Sequence, residues 1–334
     1  FGNFLDFILI VKMTTPVIYR SVDRPEMYTH ATQPVDRVGA YLPTGFQMPP
    51  NKARASRGGL SGLNLRTMKA TNLPENFKYL PDQLTAVRDQ GQCGSCWAYG
   101  ITTSIADRIM LSKEMNHLNI PLSVQYLLDC VPTNDGSDAC NGNDVGFALS
   151  KMPKDGIIAE EDLAYQQING GPVTSSCPVD SKQDYRAIIN VADNYYLTED
   201  FDGNAPTAEQ IERNIVNMKS HISAEGPIIG IMLQVFPDFN NYDGISVYEP
   251  APGQKSEGGH CVEIIGWGKN NSGTEYWICR NSWGPSWPQN HLAGMGAGWF
   301  YIKMRGASQM EYFAYVAVPS IKGTGHQSPD TDVL

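Results

Sequence analysis

Two cysteines three apart, Cys93 and Cys96 in "VRDQGQCGSCWAYG" (residues 87–100), open the question of chemistry in this chain. A CxxC pair serves as a redox couple, as half of a metal site, or as two neighbours with separate tasks. A metal site wants a second Cys/His pair at ligand spacing, and none of the six histidines supplies one, so neither a metal nor another cofactor is expected. A thiol–disulfide oxidoreductase would carry the pair in a βαβ surround, which the flanking sequence lacks. Nucleophilic thiol chemistry needs a thiolate, a base to hold its proton, and a group to orient the base. The chain offers all three. "GGHCVEIIGWG" places His260 at the start of a β-rich run, and "CRNSWG" supplies Asn281, an amide able to accept an imidazole N–H and fix its tautomer. Gln90, six residues before Cys96, is spaced to add its side-chain amide to the Cys96 backbone N–H as an oxyanion hole.

Positioning these groups falls to a short set of elements. Apolar residues Trp97, Ile101, Ile105, Ile109 and Met110 recur at helical spacing, so residues 95–111 are expected to be a helix with Cys96 at its start. The partial positive charge of a helix N-terminus favours a thiolate. A second, shorter helix is expected over 123–130. Later the pattern turns to short β-rich runs at 226–235, 260–268, 274–284 and 298–304, bounded by Gly, Pro and Asn. Helices first and strands later point to an α+β chain. If the runs around His260 and Asn281 pair as neighbouring strands, the two side chains share a face.

The chain of 334 residues, 41% hydrophobic, fits one large domain with an extension or two moderate ones. A net charge of −10 argues against nucleic acid as the main partner. The charge is uneven: residues 1–72 hold nine Lys/Arg against four Asp/Glu, and the remainder holds 16 against 31. A basic arm on an acidic body suggests docking; a solvated tail is the alternative. The apolar run "FLDFILIV" (4–11) is too short to span a bilayer, and no other stretch reads as a membrane span. It reads as the end of a signal peptide or as an amphipathic segment.

"QGQCGSCWAYG", "CNGN", "GGHCVEIIGWG" and "RNSWG", in that order over roughly 73–320, resemble the papain-like cysteine peptidases, nearest to the cathepsin B-like group. The resemblance implies a two-subdomain fold, with a helical left half and a β-barrel-like right half meeting at a cleft. It implies Cys96 as nucleophile, His260 as general base and acid, Asn281 as orienting residue, Gln90 in the oxyanion hole, and Trp283 shielding the Asn281–His260 contact. It pairs Cys93 with Cys140 and Cys130 with Cys177; Cys261 and Cys279 remain without family partners and are expected as unbridged, apolar-packing thiols. The cleft would be lined by Gly94, Ser95, Gly142 and Asn143, with Ile231, Cys261 and Tyr315 around the pocket for the second residue before the scissile bond.

Departures from the family pattern shape the remaining expectations. Asn143 stands where a second glycine lines the cleft, and its side chain is expected to narrow or repolarise that wall. Cathepsin B carries a histidine-paired loop that confers dipeptide removal; residues 141–177 contain no histidine, so an endopeptidase is expected. Residues 285–300 carry about ten extra residues, reaching the primed side or a partner, or simply solvated. The expected organisation is a propeptide-like arm (1–72), a peptidase domain (73–320) and a tail (321–334). In that scheme the arm covers Cys96 until low pH protonates the carboxylates that hold it. Partners are protein or peptide substrates and the arm itself. A catalytically silent homologue acting as a binding or structural protein is the alternative. Disulfides and the sequon Asn270-Asn271-Ser272 fit a secretory, lysosomal-type or extracellular compartment, and packaging in a particle such as a virion is the other possibility.

Overall fold

The computed structural model describes residues 63–68, 72–115, 117–154, 156–174, 176–178, 188–199, 205–291 and 295–321. The apolar run 4–11 and nearly all of the basic arm and the tail lie outside the described residues. Helix α1 (Cys96–Leu111) forms the centre, with 13 of its 16 residues buried. A helix without a polar face has to be wrapped on every side. Helices α2 (Val124–Cys130) and α3 (Val145–Ser150) pack on one side, each started by a side-chain cap: Ser123 accepts from Tyr126 N, and Asp144 from Phe147 N.

The other side is a sheet of β1 (Asn64–Leu65), β2 (Phe77–Lys78), β3 (Ile157–Ile158), β4 (Ile188–Tyr196), β5 (Ile228–Val235), β6 (Val247–Tyr248), β7 (Gly258–Lys269), β8 (Glu275–Arg280), β9 (Trp299–Lys303) and β10 (Ala314–Ile321). Its order is β1-β4-β10-β5-β7-β8-β9-β6, with β2 added on β7 and β3 on β4. Among the described residues the two ends do not pair with each other, so the β-barrel-like half implied by the resemblance is an open sheet here.

Alternation along the central strands separates two cores. Ile229 and Ile231 of β5 and Cys261 of β7 face the cluster around Trp97, Ile101 and Ile105. Ile228 and Met232 of β5, with Val262 and Ile264 of β7, face the opposite cluster of Trp267, Trp277, Phe239 and Phe300. That second core is closed by helix α4 (Ala208–Glu225), the longest among the described residues and one that the helices-first, strands-later pattern leaves out. Its signals are local: a Thr207–Gln210 capping box, Ile215, Met218 and Ile222 on one buried face, and Gly226 at φ +113° to end it.

The described piece of the basic arm is tied down at three levels. Strand β1 pairs in parallel with Tyr195 and Tyr196 of β4. Asn217 of α4 donates its side-chain N–H to Arg66 O and accepts from Met68 N, both at 2.8 Å. The Arg66 guanidinium lies 4.8 Å over the Tyr195 ring and 3.6 Å from Glu225. Burial alone would raise the Glu225 pKa, but hydrogen bonds from His221 and Tyr195 outweigh it and bring it to about 2. The carboxylate's contribution is complete above the unfolded carboxylate range of about 4.3 and is lost progressively as pH falls towards the folded value. At pH 4.5 this contact therefore keeps most of its carboxylate contribution. Amide protection over 64–68 in hydrogen exchange, corrected for intrinsic rate, is expected to be equal at pH 7 and pH 4.5; loss at pH 4.5 would contradict this.

Candidate active site

Cys96 is the first residue of α1, and its loop is built before the helix begins. Cys93 is bridged to Cys140, and Cys130 to Cys177. Gly94 N donates to Cys140 O and Trp97 Nε1 to Ala139 O, so the bridge and two hydrogen bonds seat the turn ahead of the helix. Gly91 is at φ +59°, and a Cβ there would sit 1.9 Å from Ile168 O, so this position needs glycine twice over. Gly142, at φ +100°, ends the short turn Ala139–Asn141.

The opposite wall comes from β7 and the chain leaving β8. Cys261 N, one residue after His260, is 3.4 Å from Cys96 Sγ, which puts the sulfur against the strand that carries the imidazole. His260 Nε2 and Asn281 Oδ1 are 2.8 Å apart. Asn281 Oδ1 also accepts from Ser282 N at 2.8 Å. A backbone N–H can only donate, so the atom facing the ring is the oxygen, and Nε2 carries a proton in either protonation state. Trp283, 1% exposed, lies with its ring 5.1 Å from the imidazole and tilted by 34°. An apolar lid of this kind excludes water from the amide–imidazole bond.

Gln90 joins the two walls. Its backbone N donates to Ser282 O, and its Oε1 accepts from Ser282 Oγ at 2.6 Å. One Nε2–H goes to Cys93 O at 2.9 Å. Ser282 therefore bridges the Gln90 amide to the Asn281 amide, a link that no sequence signal announced. Gln90, Cys96 and His260 are all 0% exposed.

The outer residues are placed less simply. Ile231 and Cys261 are register partners on β5 and β7, and with Tyr315 they belong to one cluster, none more than 4% exposed. Tyr315 lies so close to Gly146 that a Cβ there would be 3.1 Å from the ring. Asn143 does not narrow the cleft wall with its side chain. The amide is buried and turned inward, accepting from Asn134 N and donating to Pro132 O, because a carboxamide there satisfies two backbone groups of the neighbouring loop. Cys261 and Cys279 are buried and unbridged, and they fall in opposite cores. Burial pushes both thiols well above the usual range. In the extra segment, Trp287 packs on Trp283, Phe239 and Phe300, donates to Asn240 O, and leads to Asn290, whose carbonyl presses on Gly244. The segment's described part thus braces the region behind Trp283. Among the described residues, no cluster of His, Cys, Asp and Glu is arranged to hold a metal, and no helix is long and apolar enough to cross a membrane.

A family model described as Papain family cysteine protease matches residues 73–315. The chain is 30% identical over 266 residues to cathepsin B-like cysteine proteinase 6 of Caenorhabditis elegans, covering 73% of this chain and 67% of that protein. It is 29% identical to cathepsin B of Dictyostelium discoideum, covering 76% and 77%. Among solved structures, procathepsin B S9 from Trypanosoma congolense superposes with a TM-score of 0.61 at 21% identity, over 83% of this chain and 86% of that one. Procathepsin L 3 of the Tenebrio molitor larval midgut gives 0.55 at 21%, over 80% and 77%. At such identities the likeness is one of fold.

Proposed function

The chain belongs to the papain family of cysteine proteases, and from that premise we propose a cysteine endopeptidase acting through Cys96, His260 and Asn281. The observation that carries the reading is the double acceptance at Asn281 Oδ1, which assigns the proton on His260 Nε2. With Nε2 committed to the amide, proton exchange with the thiol falls to Nδ1. Cys96, as thiolate at the start of α1, attacks the scissile carbonyl, and the developing oxyanion takes the Cys96 N–H and the second Gln90 Nε2–H. Nδ1–H then protonates the leaving amine. Water, deprotonated by His260, attacks the thioester and releases the acid, returning the thiol–imidazole pair.

The absence of histidine from 141–177 supports internal cleavage over removal of C-terminal dipeptides. Two internally quenched peptides of one sequence, one C-terminally amidated and one a free acid, test this on the chain freed of residues 1–72. Comparable cleavage of both, and of neither by Cys96→Ala, is expected. Cleavage of the free acid alone would overturn the endopeptidase reading, and cleavage of neither by the wild type would leave the silent homologue.

Complete burial of Cys96, Gln90 and His260 supports a zymogen, since no peptide reaches a fully buried sulfur. In this reading residues 1–72 are a propeptide-like arm, 73–320 the peptidase body and 321–334 a tail. Substrates are proteins or peptides. The two disulfides support maturation in an oxidising compartment, secretory or lysosomal in type.

A further inference from the structure

We propose that Tyr165 is a positioning residue that locks together the two parts of the oxyanion site; the inference rests on the peptidase reading of Cys96 and Gln90. Tyr165 OH donates to Gln90 O at 2.8 Å. A phenol has one proton, so in its 2.7 Å contact with Ser95 Oγ it must accept, and the serine hydroxyl donates. The chain of bonds runs from the residue before Cys96, through the phenol, to the backbone of Gln90. Burial pushes the Tyr165 hydroxyl above the usual tyrosine range, so it remains a donor at any working pH.

The same bond decides what the start of α1 presents. Ser95 is the N-cap, and a serine there ordinarily turns its oxygen onto a first-turn amide. Here its side chain caps nothing, and Ala98 N takes the Ser95 carbonyl at 2.9 Å instead. Tyr165 draws the hydroxyl away from the first-turn amides and ties it to the backbone of Gln90 instead.

Tyr165 is itself held firmly enough to act as a fixed point. Its backbone N donates to Glu160 Oε1 at 2.8 Å, and the next residue donates to Gln125 Oε1 at 3.0 Å. Its ring meets Tyr99 edge-on at 5.3 Å, and Tyr99 OH donates to Asp89 O at 2.8 Å. Two touching tyrosines thus hold two consecutive carbonyls, Asp89 and Gln90, one from α1 and one from the 160–168 loop.

The test compares wild type, Tyr165→Phe, Ser95→Ala and the double variant under conditions in which the wild type cleaves peptide. Outright removal of an oxyanion donor costs about 10²–10³ in kcat, so loosening two donors is expected to cost about tenfold to a hundredfold. KM should stay within about twofold, the usual pattern when only transition-state interactions are lost. Binding of a peptide aldehyde, whose hemithioacetal oxygen needs the same donors, should weaken by the factor lost from kcat. Alkylation of Cys96 by iodoacetamide, which needs the thiolate but no oxyanion donor, should hold within about twofold, and the double variant should match the worse single one. An unchanged kcat in Tyr165→Phe, alkylation falling in step with kcat, or multiplying single effects would each overturn the proposal. A wild type that neither cleaves peptide nor alkylates at Cys96 would instead remove the peptidase reading beneath it.

Discussion

Replacing His260 by Ala is expected to lower kcat for peptide hydrolysis by about four orders of magnitude. In the proposed mechanism two roles disappear together, the base that takes the Cys96 proton and the acid that protonates the leaving amine. The geometry makes the loss specific. Asn281 Oδ1 would keep its bond from Ser282 N, and Ser282 Oγ would keep Gln90 Oε1, so the oxyanion donors stay seated when the imidazole goes. Some rate above the uncatalysed reaction should therefore remain, as it does when one member of a catalytic group is removed. Steady-state kinetics on a quenched peptide reads the loss. A variant within tenfold of wild type would mean that another group handles the proton.

The second large effect concerns stability. Arg280, 3% exposed and immediately before Asn281, bonds Asp107 of α1 and Glu263 of β7 and donates to Thr85 O. Asp107 is further held by Thr85 N at 2.8 Å and Thr85 Oγ1 at 2.5 Å. The cluster joins the central helix to the strand that carries His260 and to the end of β8, which leads into Asn281. Removing one partner leaves buried charge uncompensated, so Arg280→Met is expected to destabilise by about 3–5 kcal/mol. Denaturant unfolding measures this, and a change below about 1 kcal/mol would show the cluster to be dispensable.

Glu263 responds to pH in the opposite sense to most carboxylates. Burial raises its pKa well above the ordinary value, with the Asp107 charge adding to that and the attraction of Arg280 opposing it. A raised folded-state pKa means that the folded chain holds a proton which the unfolded chain releases. Its contribution is complete below the unfolded carboxylate range of about 4.3 and is lost as pH rises towards the folded value. Glu263→Gln mimics the protonated form, so it should gain stability relative to wild type between pH 4.5 and 7. The fold is thus expected to be better served by acid at this position.

What the sequence disclosed about the fold was mostly local. The helix expected over 95–111 is Cys96–Leu111, and the runs at 226–235, 260–268 and 298–304 became β5, β7 and β9 within a few residues. Each carried its own periodicity and bounding Gly or Pro. The pairing of Cys93 with Cys140 and of Cys130 with Cys177 came from resemblance, since four cysteines alone allow three arrangements. Helix α4 is equally legible in its capping box, although the helices-first, strands-later pattern has no place for it. Sheet closure was not legible, because no local pattern tells whether the ends of a sheet meet. Tyr165, Ser282 and the Arg280 cluster were hidden for the same reason. Tyr165 lies 75 residues from its Gln90 partner, and Arg280 lies 173 from Asp107. Asn143 shows the converse: its residue type was noticed, but which way its amide turned depended on two carbonyl and amide groups of a neighbouring loop.

The most direct measurement is the site of covalent labelling by a peptidyl epoxide, mapped by mass spectrometry in wild type and His260→Ala after residues 1–72 have been removed from both. One label per chain, on Cys96 alone, lost in the variant, is the predicted result. Label on Cys261 or Cys279, or on Cys96 at an unchanged rate without His260, would contradict the assignment of this thiol and this imidazole as one catalytic pair.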